Sequence, residues 1–361
     1  MNGPCRIVFL LPGAGRIPVG GFKVVYEYAN QLVSRGHAVS IIHPAMLEYD
    51  TRWSDKLKKL SRYVQRVIDK SYLPRKWFVI DPRVRMLWVL NLNEKFIPDA
   101  DVVIATAWQT AEWVADYPAA KGRKYYLIQH YETWSGSDER VRRTWTLPLS
   151  KIVIARWLEN FAKELGENSF YIPNGLDFSC FGLDLPIEKR NPRSIMMLYH
   201  EQAWKGSQDG IQALLQVRKV YPDLKVTMFG VLDGIDLPDW VLYYRLPDQK
   251  LLRYLYNQSA IFVAPSWSEG WGLPASEAMM CGCAVVATDI GGHKEFAIDN
   301  RTALLAEPKK PESLAGAILR FVEDSEKRLD VARKGNAYIQ QFTWSRACGL
   351  LEGLILQNGT H

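Results

Sequence analysis

Cysteine is scarce and scattered. Its five positions, Cys5, Cys180, Cys281, Cys283 and Cys348, form no Cys-x-x-Cys or Cys/His cluster, so no zinc site is expected and a reducing cytoplasm suits the chain best. Long hydrophobic runs are also missing. No stretch has the length and apolarity to span a bilayer, and Met1 to Pro12, with neither a charged leader nor a cleavage site, reads as a first strand. A secreted or membrane-spanning protein is therefore not expected. An apolar fraction of 48% and a charged fraction of 23% carry no sign of disorder or repeats. The dinucleotide fingerprint is incomplete as well: Pro18 stands where the third glycine after Gly13-Ala-Gly15 belongs, and His43 rather than an acid ends the second strand. Asp99-Ala-Asp101 imitates a metal-binding Asp-x-Asp but directly precedes a strand, and it reads as a structural loop.

What is present is size and a local concentration of charge. At 361 residues the chain exceeds a single core, so two domains are expected. The net charge is +6. The segment 52–85 alone holds eleven basic residues against three acidic ones, a net +8 that leaves the rest at −2. Within it Trp53, Leu57, Leu60, Val64, Val67 and Ile68 recur at steps of three and four, one face of an amphipathic helix, with Tyr63, Tyr72, Trp77 and Phe78 around it. Two readings stay open: docking on an anionic membrane surface or around an anionic acceptor, and a helix packed on a sheet with a solvated basic rim.

Short branched apolar runs alternate with helical patterns along the whole chain, the mark of doubly wound parallel α/β sheets. In the first half the expected strands are 6–11, 38–43, 85–89, 101–105, 124–129 and 151–155, with a crossover helix over 21–35. After Pro173-Asn-Gly175 the periodicity stops, and Pro186 and Pro192 mark 176–193 as a linker. The alternation then restarts. The expected organisation is a domain over 1–175, a linker over 176–193, a second domain over 194–340, and a helix in 341–361 packing back toward the first. Ligands of such folds bind beyond the carboxyl ends of the strands.

The densest motif is Ala264-Pro-Ser-Trp-Ser-Glu-Gly-Trp-Gly-Leu-Pro-Ala-Ser-Glu277. It leaves a strand as a glycine-containing loop and enters a helix with Pro274 at its start. Backbone N–H groups at Gly272 and Leu273 suit a phosphate or a sugar edge. Gly270 and Gly272 let backbone approach a ligand. Glu269 and Glu277, one in the loop and one a turn into the helix, can accept hydrogen bonds from hydroxyls at two ends of one elongated ligand.

That stretch, continued by Met279-Met-Cys-Gly-Cys-Ala-Val-Val-Ala-Thr-Asp-Ile-Gly-Gly292 and Ala303-Leu-Leu-Ala-Glu-Pro308, resembles the donor site of the retaining GT-B glycosyltransferases of family 4, or group 1. Gly20-Gly21 with Glu27 and Arg35-Gly-His37, His130 after its strand, Pro173-Asn-Gly175 and Trp204-Lys-Gly206 resemble further parts of that family in the right order. The resemblance implies a GT-B fold, two Rossmann-like doubly wound domains facing a central cleft. It implies a metal-independent retaining hexosyl- or deoxyhexosyltransferase with no cofactor beyond its nucleotide-diphosphate sugar. By that resemblance Glu269 binds donor sugar hydroxyls, with Gly270 and Trp271 beside it, and Glu277 holds the nucleotide ribose. Lys205 stabilises the leaving diphosphate, helped by N–H groups at Gly20-Gly21 and at Gly272-Leu273, and His130 sits near the reactive carbon. His200 departs from the family, which usually has arginine there; a neutral His200 would isolate Lys205, and a protonated one would partly replace the arginine.

Two blander readings remain: His130 as a strand-end histidine bonded to backbone, and Lys205 as a helix-start residue. The acceptor would be a glycan, a lipid-linked sugar or a small molecule, with no nucleic acid partner. The location would be the cytoplasm, or the inner face of the membrane if the basic segment docks there. The competing functions are a GT-B isomerase or phosphorylase and a binding-only glycosyltransferase-like subunit.

Overall fold

The computed structural model describes residues 3–47, 53–233 and 236–357. The chain forms two compact units, one of residues 1–175 with 344–361 and one of residues 176–343.

In the first unit, β1 (Arg6–Leu10), β2 (Ala38–Pro44), β3 (Arg85–Val89), β4 (Val102–Ala105), β5 (Arg123–Ile128), β6 (Ser150–Val153) and β7 (Ser169–Tyr171) pair in the order β3-β2-β1-β4-β5-β6-β7, all parallel. Central strands such as Val102–Ala105 are buried along their whole length, as a sheet covered on both faces requires. The covering helices include α1 (Gly20–Ser34), α2 (Trp53–Asp69), α3 (Trp108–Ala115), α4 (Asp138–Thr144) and α5 (Arg156–Glu164). The last helix of the chain, Trp344–Gln357, packs on α1, and its Glu352 pairs with Arg35 at 2.6 Å and His37 at 3.0 Å. Asp99 and Asp101 are taken up by Lys121 and Arg6, each at 2.8 Å. They tie the start of β4 to its neighbours.

The second unit repeats the plan. β8 (Ser194–Leu198), β9 (Lys225–Gly230), β10 (Val241–Arg245), β11 (Ile261–Ala264), β12 (Ala284–Thr288) and β13 (Leu304–Ala306) are parallel in the order β10-β9-β8-β11-β12-β13. Around them lie α6 (Ser207–Val220), α7 (Gln249–Gln258), α8 (Leu273–Met280), α9 (Pro311–Glu323) and α10 (Ser325–Ile339). Met197, Val263 and Val286 of three adjacent strands share one core with Leu214, Ile318 and Phe321 of the helices.

The stretch 176–193, expected as a linker, is packed into this unit. Phe181 is buried, and the buried guanidinium of Arg190 donates to the carbonyls of Leu185 and Ser259, each at 3.0 Å, and to that of Cys281. Asn257 accepts from the backbone of Asp184 and Leu185. An irregular segment without periodicity can still be held by side chains bonded to main-chain carbonyls, which periodicity does not register.

Among the described residues no helix is long and apolar enough to cross a membrane. Arg52 lies outside the described residues, as do the side chains of 53–59 and 62. Over the rest of α2, packing runs through Tyr63, stacked near Trp88 at 6.4 Å, and through Arg66 over the Trp88 ring. Leu60, Val64, Val67 and Ile68 are 45–77% exposed. Of the two open readings, packing of the stripe on the sheet does not hold for these four residues.

Candidate functional site

β8, β11 and β12 are neighbours, so the loops that leave their carboxyl ends lie side by side. The first loop turns through Ala203–Lys205 into α6, the second carries 265–272 into α8, and the third runs through Gly291-Gly292 into the short turn His293–Glu295. Gly206 takes φ +65°, and a Cβ there would collide with the Pro265 carbonyl. This is why glycine follows Lys205. The backbone of Trp267 donates to the Trp204 carbonyl at 2.6 Å, fastening the first two loops together.

The outcome is a direct ion pair. Lys205 Nζ lies 2.8 and 2.9 Å from the two carboxylate oxygens of Glu269, and Ser266 Oγ donates to the same carboxylate at 2.8 Å. Lys205 is therefore not isolated. Burial pushes the Glu269 carboxyl up, but Lys205, His293 and the Ser266 hydroxyl together hold it below its ordinary value. His200 does not supply a second cation. Burial first and Lys205 second push its pKa down, and its Nδ1 accepts from the Gln202 N–H at 3.1 Å. The other charges acting on His200 are Glu201 and Glu269.

Gly272 caps α8 with φ +105°, a conformation that side chains resist. Leu273 begins the helix and Pro274 follows, one place later than expected. No side chain caps this end, which leaves the first N–H groups available to a ligand. Glu277, a turn further on, is buried and accepts from the Tyr256 hydroxyl at 3.4 Å. The Trp271 ring is buried against Phe296 and Phe342, and its Nε1 donates to Ser276 Oγ at 2.9 Å.

The structure thus gathers Lys205, Glu269, His200, Gly270, Gly272, Leu273 and Glu277 around one set of loops. It also adds two residues the sequence reading passed over, Ser266 and His293. A serine three before Glu269 and a histidine directly after Gly291-Gly292 were the available signals.

In the first unit, Gly20 and Gly21 open α1, and Gln129 at the end of β5 donates to the Gly21 carbonyl at 3.1 Å. His130 follows. Its ring meets Trp134 edge-on at 4.7 Å and Trp157 at 5.7 Å, and its Nδ1 lies 3.1 Å from the Tyr131 carbonyl. Close by in sequence, Glu132 accepts from the Trp108 N–H at 3.0 Å, at the start of α3, and burial raises its carboxyl to about 7. No group of three or more His, Cys, Asp or Glu among the described residues could hold a metal ion.

Two parallel sheets, each wrapped by helices, define the GT-B architecture. The Anabaena protein HepE, solved in complex with UDP-glucose, matches it over 97% of this chain and 99% of its own with a TM-score of 0.71 at 18% identity, a likeness of fold. Residues 188–338 match the family model of the glycosyl transferases group 1, and the fold of the chain is GT-B. It is 29% identical over 201 residues to a D-inositol 3-phosphate glycosyltransferase of Paenarthrobacter aurescens, 49% of each protein. It is 22% identical to a phosphatidyl-myo-inositol mannosyltransferase of Mycolicibacterium smegmatis, over 94% of this chain and 90% of that one. Apart from that long alignment, the chain spans about half the length, or less, of the curated relatives it matches first.

Proposed function

We propose that the protein transfers a sugar from a nucleotide diphosphate with retention of configuration, with the second unit binding the donor. The observation that carries this is the Lys205–Glu269 pair, set beside an uncapped helix N-terminus with Glu277 a turn inside it. The difficult step is separation of a cationic sugar from a dianionic diphosphate, which a fixed cation and helix N–H groups stabilise. Lys205 is the cation of this site, since burial and Lys205 itself disfavour a charge on His200. A diphosphate competes with Glu269 for the ammonium. Drawing Lys205 toward phosphate frees Glu269 oxygens to accept sugar hydroxyls, so one carboxylate neutralises the lysine in the empty protein and reads the sugar in the loaded one.

The buried Glu277 carboxylate suits the ribose hydroxyls. HepE's complex with UDP-glucose makes a uridine diphosphate sugar the first donor to try. Of the first unit, His130 and the N–H groups of Gly20-Gly21 are proposed to serve the reacting sugar and the diphosphate. A hexosyl or deoxyhexosyl donor and transfer without a metal belong to the same proposal, with a glycan, lipid-linked or small-molecule acceptor. The test is nucleoside diphosphate release from a panel of nucleotide sugars in EDTA. Release from no donor, together with no donor raising the melting temperature, sinks the enzyme reading and leaves the binding-only one, to which the neutral His200 already lends support.

The exposed Leu60, Val64, Val67 and Ile68, set among lysines and arginines, support docking of α2 on an anionic membrane. Vesicles containing phosphatidylglycerol should then capture the protein at low salt and release it at high salt. Capture indifferent to lipid charge and salt refutes the docking.

A further inference from the structure

His293 stands out because it is 1% exposed and still has an unused nitrogen. Its Nδ1 lies 3.0 Å from the Thr288 carbonyl, an atom that can only accept, so Nδ1 carries the hydrogen. Thr288 Oγ1, 3.2 Å from the same nitrogen, gives its own proton to the Ser266 carbonyl and so cannot reverse that assignment. The neutral ring is therefore left with a bare lone pair on Nε2. No donor among the described residues meets it.

Nε2 sits beside the start of α8. Gly272, the cap of α8, lies directly against the ring: a Cβ there would be 2.8 Å from Cδ2 and 3.2 Å from Nε2. On the other side, Gly292 presses so closely on the Glu269 backbone that a Cβ would overlap the Glu269 carbonyl. The ring thus lies against the helix entry, one residue after the backbone contact between Gly292 and Glu269, and the charge of Glu269 is felt at it.

We propose that His293 reads the donor sugar, with Nε2 accepting a hydrogen bond from one hydroxyl of a sugar seated against Glu269 and the Gly270–Leu273 turn. This rests on the donor reading above and adds a determinant of which sugar is taken. A sugar lacking that hydroxyl forgoes the hydrogen bond to Nε2 and is disfavoured, whereas the nucleoside diphosphate portion is indifferent to it.

Two substitutions separate the role from mere packing. His293→Asn keeps a donor for the Thr288 carbonyl and removes the atom at the Nε2 position; His293→Gln reaches that position with an amide oxygen. UDP-glucose, UDP-galactose, UDP-N-acetylglucosamine and GDP-mannose are compared, together with monodeoxy derivatives of whichever the wild type consumes. H293N should lose about tenfold in kcat/KM for the preferred donor and be unchanged for the one derivative that lacks the hydroxyl read. H293Q should recover most of the loss, and both variants should bind free nucleoside diphosphate as the wild type does. Equal losses on every donor, or a matching loss of nucleoside diphosphate binding, show a packing role and overturn the proposal while leaving the enzyme reading intact. A wild type that consumes none of the panel and whose melting temperature none of it raises overturns both.

Discussion

Replacing Lys205 by methionine keeps most of its bulk and deletes its charge, which leaves Glu269 as a buried carboxylate without its cation. In the native protein the side chains are only 24% and 14% exposed at 2.8 Å separation. Breaking such a pair from one side costs about 3–5 kcal/mol when burial is complete; the partial access of Lys205 to water lowers the expectation to about 2–3 kcal/mol at pH 8. The pH dependence is the sharper part. In the wild type the Glu269 carboxyl is held below its ordinary 4.5, so its contribution is present above that value and is lost only as pH falls below it. Between pH 5 and 8 that contribution is constant. Without Lys205, burial is opposed only by His293 and the Ser266 hydroxyl and pushes the carboxyl upward, so the variant loses stability as pH rises through the new, higher value. The gap between wild type and K205M should widen from roughly 1 kcal/mol at pH 5 to the full cost at pH 8. Urea unfolding followed by tryptophan fluorescence measures it. In an E269Q background the same substitution should show no such pH dependence. A gap that is flat or narrows toward pH 8 refutes the coupling, and with it the idea that Glu269 holds Lys205 until a diphosphate competes for it.

Glu277→Gln should weaken nucleoside diphosphate binding about tenfold, whereas Glu269→Ala, which frees Lys205, should strengthen that binding and cut transfer; calorimetry and a release assay separate the two, and equal negligible effects refute the roles. Glu132 is raised to about 7 in the folded protein, so folding favours its protonated form, and the stability this lends is lost as pH climbs from about 4.5 through 7. Glu132→Gln, which still accepts from Trp108, should therefore stabilise the protein by on the order of 2 kcal/mol at pH 8 and hardly at all at pH 4, as thermal melts across pH will show. Arg190→Met strands the carbonyls of Leu185, Ser259 and Cys281 and should destabilise by about 3 kcal/mol in urea; a cost under about 0.5 kcal/mol would mean that 176–193 behaves as the linker it resembles in sequence.

The fold was legible because parallel strands buried on both faces are written as continuous apolar runs. Ile261–Ala264 and Ala284–Thr288 stand out in the sequence for the same reason that they are buried in the sheet. β7 was not legible: Ser169–Tyr171 is a three-residue edge strand of mixed exposure, too short for any period. The segment 176–193 misled for a related reason. Its order depends on Arg190, whose carbonyl partners lie as far as 91 positions away in sequence.

At the site, what could be read was what backbone geometry demands. Gly206, Gly272 and the proline at the start of α8 are required by left-handed turns and a helix entry, and residue type alone reports such demands. Pairing is a different matter, because it depends on where two side chains meet. Nothing in the local sequence of Lys205 says that its ammonium lies on Glu269, sixty-four residues on, or that His293 keeps one nitrogen for the fold and leaves the other bare. The sequence reading therefore assigned Lys205 and Glu269 to separate tasks on separate parts of a ligand, whereas the structure makes them one charge-neutral unit. On the proposed donor reading, a donor divides that unit as it binds. If so, donor affinity includes the cost of breaking the pair, and E269Q, which releases Lys205 in advance, should bind free nucleoside diphosphate more tightly than the wild type while transferring sugar more slowly.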